Sequence, residues 1–473
     1  MKESIVLYPS PGIGHLVSMV ELGRVILKHY PSFSISILIT PPPYNTGSTT
    51  PYITHVSSTT PSITFHNLPS VPISPDSISS PHHEALLIDV ILRNNQNVHQ
   101  TLLTISHTSN IRALIIDMFC SAALDVGASL DIPTYYFFTS GAACLAFFLY
   151  SPTIHGNTTK SFKDLNSPLH YPGIPPVHPL DVPKPMLDRT DKAYEGLLDF
   201  SSRLPESKGI LVNTFEALEP TALKAILGGH CVPHRPTPPV YCIGPLIEDR
   251  GGGDSSATVD CFTWLDSQPI RSVVFLCFGS LGLFTAAQLK EIAIGLEKSG
   301  ERFLWVVRNP PMEDKSWRNL APPEPDLDTL LPEGFLDRTK ERGLVVKLWA
   351  PQVEVLNRES VGGFVTHCGW NSVLEAICAG VPMVGWPLYA EQRLNRIFLV
   401  EEMKLALSMD ESEGGFVSSA MVEKRVKELM GSEEGKALRE RTLALRDAAK
   451  AAMAEGGSSR VALARLAELW SGG

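Results

Sequence analysis

No uninterrupted apolar run in this 473-residue chain approaches the ~18 residues of a membrane-spanning helix. Only residues 5–8 are apolar before Pro9-Ser10-Pro11-Gly12, too few for a signal-peptide core. No Cys-x-x-Cys pair occurs among the eight cysteines, which are scattered through mostly apolar surroundings and read as buried thiols of a reducing compartment. The His and Cys spacings of zinc sites are missing too. So is an excess of base: a net charge of −10 argues against a nucleic-acid or anionic-membrane partner. Gly12-x-Gly14 lacks the third glycine and the following acidic residue of a dinucleotide fingerprint, which argues against a dehydrogenase. A soluble cytoplasmic protein is expected, in which the sequon at Asn157 stays unmodified. Any phosphate it binds must be met by local dipoles rather than by net charge.

What is present is a large apolar fraction, 44%, in a chain longer than one core usually serves, so two domains are expected. Residues 5–8 form a strand, 9–14 a turn, 16–28 an amphipathic helix and 34–39 the next strand, a βαβ opening that predicts a parallel sheet. Residues 113–116, 134–138 and 209–212 add strands, and the first half is doubly wound. Two stretches dense in Pro, Ser, Thr, Gly or His, 41–83 and 151–185, read as long loops and candidate walls of a ligand site. The polar run 248–258, with Gly251-Gly252-Gly253, reads as a linker. A second series follows: strand 272–278, helix 288–298, strands 303–307 and 345–348 around an acidic, Pro-rich insertion at 309–333, and a largely helical end at 417–470.

The densest stretch is 349–392, WAPQVEVLNRESVGGFVTHCGWNSVLEAICAGVPMVGWPLYAEQ. Within it residues 361–365 are a strand, Gly369 a tight turn, and 370–379 a helix opening at Asn371 and Ser372, both favoured cap residues. A helix N-terminus offers unpaired N–H groups and partial positive charge to a phosphate. Glu375, one turn in, can accept hydrogen bonds from vicinal ribose hydroxyls, and Trp349 offers a flat face to a base.

That stretch resembles, end to end, the signature box of the plant family 1 UDP-glycosyltransferases. The resemblance extends over the chain through IVLYPSPGIGHLVSMVELG, IIDMFCSAALDVG, IPTYYFFTSGAACLAFFLYSP and FLCFGSLG, and is greatest to the flavonoid, isoflavone and chalcone glucosyltransferases. It implies the α/β GT-B fold: two Rossmann-like domains with parallel sheets facing a central cleft. The expected parts are an acceptor-binding domain at 1–245, a linker at 246–258, a UDP-sugar-binding domain at 259–455, and a final helix at 456–473 that packs back on the N-terminal domain.

His15 stands where the first strand hands over to the first helix, at the carboxyl edge of a parallel sheet, the side where such sheets bind ligands. By itself it reads equally as a helix-capping residue; the resemblance makes it the catalytic base. Asp117 ends the apolar run 113–116 and reads as an N-cap; the resemblance makes it the partner of His15, and the two duties are compatible. The resemblance gives UDP contacts to Ser280, Trp349, Ala350, Gln352, His367, Asn371, Ser372 and Glu375, and sugar contacts to Thr139, Trp370, Glu391 and Gln392. Ser280 alone reads as a turn residue and Thr139 as a helix cap. Relatives that take UDP-glucuronate carry Arg where Trp370 stands, and Gln rather than His at 392 favours glucose over galactose; many relatives have Asp where Glu391 stands. The aromatics Phe119, Phe137, Phe138, Phe147, Phe148 and Tyr150 read mostly as core, with one or two facing a planar phenol.

Asp326-Leu327-Asp328 has the form of a metal-binding Asp-x-Asp, but its acidic, Pro-rich setting makes it a solvated loop, and metal-independent transfer without a cofactor is expected. The expected reaction is inverting transfer from UDP-glucose to a phenolic oxygen by a monomer. The alternatives are transfer to a ring carbon and a non-catalytic sugar-nucleotide-binding protein.

Overall fold

The computed structural model describes residues 2–43, 49–248, 256–311, 323–412 and 414–472. The glycine run 251–253, residues 312–322 of the acidic insertion and 44–48 of the first expected loop lie outside them. The chain divides into two compact units, Met1–Ile247 with Ala451–Gly473, and Glu248–Lys450.

In the first unit the described strands are β1 (Lys2–Tyr8), β2 (Phe33–Ile39), β3 (Ile63–Asn67), β4 (Ser109–Asp117), β5 (Thr134–Phe138), β6 (Ile210–Val212) and β7 (Val240–Cys242). They form one sheet in the order β3-β2-β1-β4-β5-β6-β7, every pair parallel. A parallel sheet covered on both faces needs strands that are apolar throughout, and Ile5, Val6, Leu7 and Tyr8 are all fully buried. The order fixes where a ligand can go. From β1 the chain winds outward to β3, then returns to β4 on the other side of β1 and winds outward to β7. Connections therefore leave the carboxyl ends of β1 and β4 in opposite directions, which opens a crevice at that switch point.

The core of this unit lies between the sheet, the helix Ile13–His29 and the last helix, Ser458–Ser471. In that last helix Leu463, Leu466, Ala467 and Trp470 form one buried stripe. Trp470 meets Phe33 and Tyr135 edge-on, with centroids 6.4 and 6.0 Å away, and Ser459 Oγ donates to the Gly244 carbonyl at 2.6 Å.

In the second unit β8 (Val273–Cys277), β9 (Arg302–Val307), β10 (Gly343–Lys347), β11 (Val361–Thr366), β12 (Met383–Gly385) and β13 (Ala406–Ser408) form a parallel sheet in the order β10-β9-β8-β11-β12-β13. Its switch point lies between β8 and β11.

The stretch 41–83 is not the long loop its composition suggests. It holds the helix Thr49–Thr59, edge strand β3 and the short helix Pro75–Ser79. Strand β3 is only partly buried and gains its ladder from β2, a tertiary neighbour that a composition count does not register. Likewise the helix Ala142–Asn157 runs through Pro152 into the expected loop 151–185. Asp326 accepts from the Asp328 N–H at 3.2 Å as the cap of the helix Leu327–Leu330. Among the described residues no group of three or more His, Cys, Asp or Glu side chains is arranged to hold a metal ion, and no helix is long and apolar enough to cross a membrane. All eight cysteines are free.

Candidate active site

Strand β1 ends at Tyr8, and Pro9 to Gly12 turn the chain into the helix Ile13–His29. Gly12, at φ +148°, occupies the cap position; a side chain there would be strained. His15 is therefore the third helical residue and not a cap. Asp117, 0% exposed, is the last residue of the neighbouring β4. Across the switch point His15 Nδ1 and Asp117 Oδ2 are 2.8 Å apart. The carboxylate can only accept, so Nδ1 carries the proton and the neutral ring has its lone pair on Nε2. The His15 side chain keeps 27% of its surface exposed.

A buried carboxylate is costly unless its lone pairs are used. Asp117 Oδ1 accepts from Ser10 Oγ and, at 3.3 Å, from the Phe119 N–H, so Asp117 both caps the turn Met118–Cys120 and orients His15. Thr139, just past β5, has its hydroxyl 3.4 Å from His15 Nδ1. It is not a helix cap. The cap position of the helix Ala142–Asn157 is Gly141, and the Ala142 and Ala143 N–H groups donate to the buried carboxylate of Glu219, each at 2.8 Å.

The first unit holds a cavity of about 310 Å³ that neither His15 nor Asp117 lines and that reaches the pair through Phe119. Phe119 lines it and also meets the His15 ring edge-on at 5.7 Å. Ala85, Ile88, Leu92 and Phe200 extend the apolar wall, and Lys192, Glu195 and Asp199 bring charge to it. Of the aromatics singled out in the sequence, Phe119 faces this cavity, whereas Phe137, Phe138, Phe147 and Phe148 are core.

In the second unit the equivalent positions follow β8 and β11. After β8 come Gly279, at φ +71°, and the exposed Ser280; after β11 come His367, Cys368 and Gly369. The His367 ring packs against both glycines, since a Cβ at either would lie 2.5 Å from Nε2. Burial pushes its pKa down to about 4, which keeps the ring neutral near pH 7, and Nδ1 is buried without a hydrogen-bond partner among the described residues.

The helix Trp370–Ala379 opens one residue earlier than its polar residues suggest. Gly369 is the cap, and Asn371 and Ser372 are the second and third helical residues, still within the turn whose N–H groups lack intrahelical partners. Gln352 Nε2 donates to Ser372 Oγ at 2.7 Å and to Glu375 Oε2 at 2.5 Å, which joins three candidate UDP contacts. Trp349, 54% exposed, follows Leu348 at φ +65°, and Ala350 beside it is buried. Trp370 is buried. Gln392 Oε1 accepts from the Leu388 and Tyr389 N–H groups at 2.8 and 2.9 Å, so its amide nitrogen is the end suited to donate onward. Asn395 Nδ2 donates to the Cys368 carbonyl at 3.0 Å and approaches Glu391 Oε1 at 3.4 Å, coupling the turn after β11 to the end of the box.

Thus Ser280 and His367 flank one turn, Gln352, Ser372 and Glu375 form one network, and Thr139 lies with His15 in the first unit, apart from the sugar-contact candidates Trp370, Glu391 and Gln392. Ser10, Phe200, Glu219, Arg308 and Asn395 belong to these networks without being announced by any motif. Ser10 alone had a signal: it lies at the same strand edge as His15.

Residues 254–443 match the family described as UDP-glucoronosyl and UDP-glucosyl transferase. A phloretin 2'-O-glucosyltransferase of Pyrus communis is 53% identical, over 97% of this chain and 98% of its own length. An anthocyanidin 5,3-O-glucosyltransferase of a Rosa hybrid cultivar is 50% identical over 99% of each. The structure of Phytolacca americana UGT2 complexed with UDP-2fluoro-glucose and pterostilbene superposes with a TM-score of 0.88 at 40% identity, covering 99% of this chain and 100% of that one.

Proposed function

Because this chain belongs to the UDP-glucoronosyl and UDP-glucosyl transferase family and has its GT-B fold of two parallel-sheet domains, we propose that it transfers glucose from UDP-glucose, with inversion, to a phenolic hydroxyl of a flavonoid- or chalcone-like acceptor. The observation that carries this reading is the His15–Asp117 pair at the β1/β4 switch point, which Phe119 connects to a mostly apolar cavity of about 310 Å³. That volume falls in the ordinary range of small-molecule sites.

The acceptor's ring occupies the cavity against Phe119 and Phe200. His15 Nε2 takes the phenolic proton as the oxygen attacks the anomeric carbon, an effect typically worth ~10² to 10⁴ in rate. Asp117 holds the tautomer and stabilises the imidazolium. Displacement opposite the α-linked UDP gives the β-glucoside. In the second unit Trp349 stacks on uracil, with Ala350 and Gln352 beside it, and Glu375 takes the ribose hydroxyls. Ser280, His367, Asn371 and Ser372 stabilise the charge that develops on the leaving UDP. Trp370, Glu391 and Gln392, with Thr139, meet the sugar, and the absence of a cation at Trp370 disfavours a glucuronate donor. The first unit is the acceptor domain and the second the donor domain; the enzyme acts as a cytoplasmic monomer, and UDP-glucose is a substrate, with no further cofactor. Oxygen rather than carbon is the acceptor atom, as the names of the phloretin and anthocyanidin relatives support.

Mass-spectrometric product analysis tests this. UDP-glucose, UDP-glucuronate and UDP-galactose are each incubated with flavones, chalcones and simple phenols. An acid-labile hexose adduct formed from UDP-glucose, β-linked by proton NMR coupling, is expected. UDP binding without product from any donor would instead mark a non-catalytic binding protein, and an acid-stable adduct would mark transfer to carbon.

A further inference from the structure

Arg308 is the first residue after β9, the strand beside β8, and so stands next to the Gly279–Ser280 turn. Its Nη1 donates to the Gly279 carbonyl at 3.4 Å and to the Ser280 carbonyl. In a planar trans peptide the C=O of one residue and the N–H of the next point in opposite directions. The two carbonyls gripped by Arg308 therefore turn the N–H groups of Ser280 and Leu281 away from the guanidinium. Among the described residues the Ser280 amide and hydroxyl have no hydrogen-bond partner.

Among the described residues Arg308 is also a cation without an anion. It is half-buried, its Nε is buried without a hydrogen-bond partner, and among the described residues no carboxylate lies within ion-pair distance of it. The charged-state influences on it come from Tyr389 and Cys277, both of which burial keeps neutral near pH 7. An uncompensated guanidinium is costly in such surroundings, and a bound anion would remove that cost. A structural arginine needs no such vacancy.

We propose that Arg308 is a positioning residue for the donor: it sets the Gly279–Ser280 turn so that Ser280 N–H and Oγ face the diphosphate, and its charge is compensated when that anion binds. The inference rests on the reading of the second unit as the UDP-sugar site. Nη1, whose two N–H bonds are fixed in the guanidinium plane, serves both successive carbonyls, which a freely rotating lysine ammonium does with less geometric definition.

Inhibition of turnover by uridine and by UDP separates this role from a purely structural one. For Arg308→Met the expected result is UDP inhibition weakened about tenfold or more, KM for UDP-glucose raised alike, and uridine inhibition within about twofold of wild type. Arg308→Lys, which keeps the charge and loses the planar pair of N–H bonds, should show a smaller loss confined to UDP, and it decides the matter alone if the methionine variant does not fold. Equal weakening toward uridine and UDP, or no weakening toward UDP, overturns the proposal. A wild type that UDP fails to inhibit would defeat the donor-site reading itself; UDP inhibition that is the same in wild type and both variants defeats only the role of Arg308.

Discussion

Replacing Asp117 by asparagine should remove most of the activity while leaving the fold in place, because the hydrogen bonds around the carboxylate dictate how the amide must sit. Oδ1 accepts from Ser10 Oγ and from the Phe119 N–H. The backbone N–H cannot reverse its polarity, so an asparagine would keep its carbonyl there and turn its NH₂ toward His15 Nδ1, which now lies 2.8 Å from Oδ2. A donor in that place forces Nδ1 to accept, and the ring proton moves to Nε2, the nitrogen that must take the phenolic proton. The variant also loses the attraction that stabilises the imidazolium. Two unit charges about 4 Å apart at an effective dielectric near 20 interact by about 4 kcal/mol, and about 4 kcal/mol corresponds to roughly three decades in rate. With a weakly acidic phenol, kcat/KM should therefore fall about 10³-fold. With a phenol acidic enough to ionise at the assay pH the loss should shrink, since that acceptor needs no base. Initial rates for a series of phenols of graded acidity, across pH 6 to 9, supply the measurement. A variant within about tenfold of wild type for the weakly acidic members, or a loss that ignores phenol acidity, would refute the reasoning.

Trp349→Ala should weaken UDP binding by about 1 to 3 kcal/mol, the usual worth of a stacked base, with Trp349→Phe between; titration calorimetry with UDP reads it, and an unchanged affinity would remove Trp349 from the site. The His367 pKa of about 4 lies below the ordinary histidine value near 6.5, so the unfolded chain binds its proton first. Its contribution is complete above about pH 6.5 and is lost as the pH falls toward 4, on the order of 3 kcal/mol. Urea unfolding of wild type against His367→Phe between those pH values should show a flatter pH dependence in the variant; parallel curves would count against it. Glu219→Gln cannot accept both helix N–H groups as an anion and weakens its bond with the Thr214 hydroxyl, so it should destabilise the first unit by about 2 to 3 kcal/mol, visible as a lower midpoint in thermal unfolding.

Apolar pattern and strand edges made the skeleton legible. β5 and the helix Trp370–Ala379 end where the sequence pattern places them; the pattern also puts His15 and Asp117 at strand ends of one parallel sheet, but only the family resemblance gives them their roles as base and partner. The three-residue strands β7, β12 and β13 are too short to show a period, whereas β6 lies within the strand expected at 209–212. The box helix starts at Trp370 with Gly369 as its cap, although Asn371 and Ser372 are the better cap residues in isolation. The close packing of His367 against Gly369 requires a glycine at the position that became the cap. Arg308, Asn395 and Glu219 acquire their roles from partners on other elements, through carbonyls or amides that any residue type would supply, so their one-dimensional context holds no trace of them.

Both units use a switch point, yet they solve opposite electrostatic problems with it. At β1/β4 a negative group must be buried so that it can bias one imidazole, and the fold surrounds Asp117 with donors from Ser10, Phe119 and His15. At β8/β11 a strongly negative ligand must be met from outside, in a chain whose net charge is −10. On the proposed reading the groups that would meet it are the first-turn amides of the helix Trp370–Ala379, a neutral His367 and the Ser280 amide. Dipoles fixed by the backbone cost no side-chain ordering and cannot be drawn away by competing carboxylates, and the glycines at 279 and 369 leave room for the His367 ring between the two turns. On the proposed reading the second unit would thus hold a diphosphate within an acidic protein, while the first keeps the ionisable pair that would take the acceptor's proton.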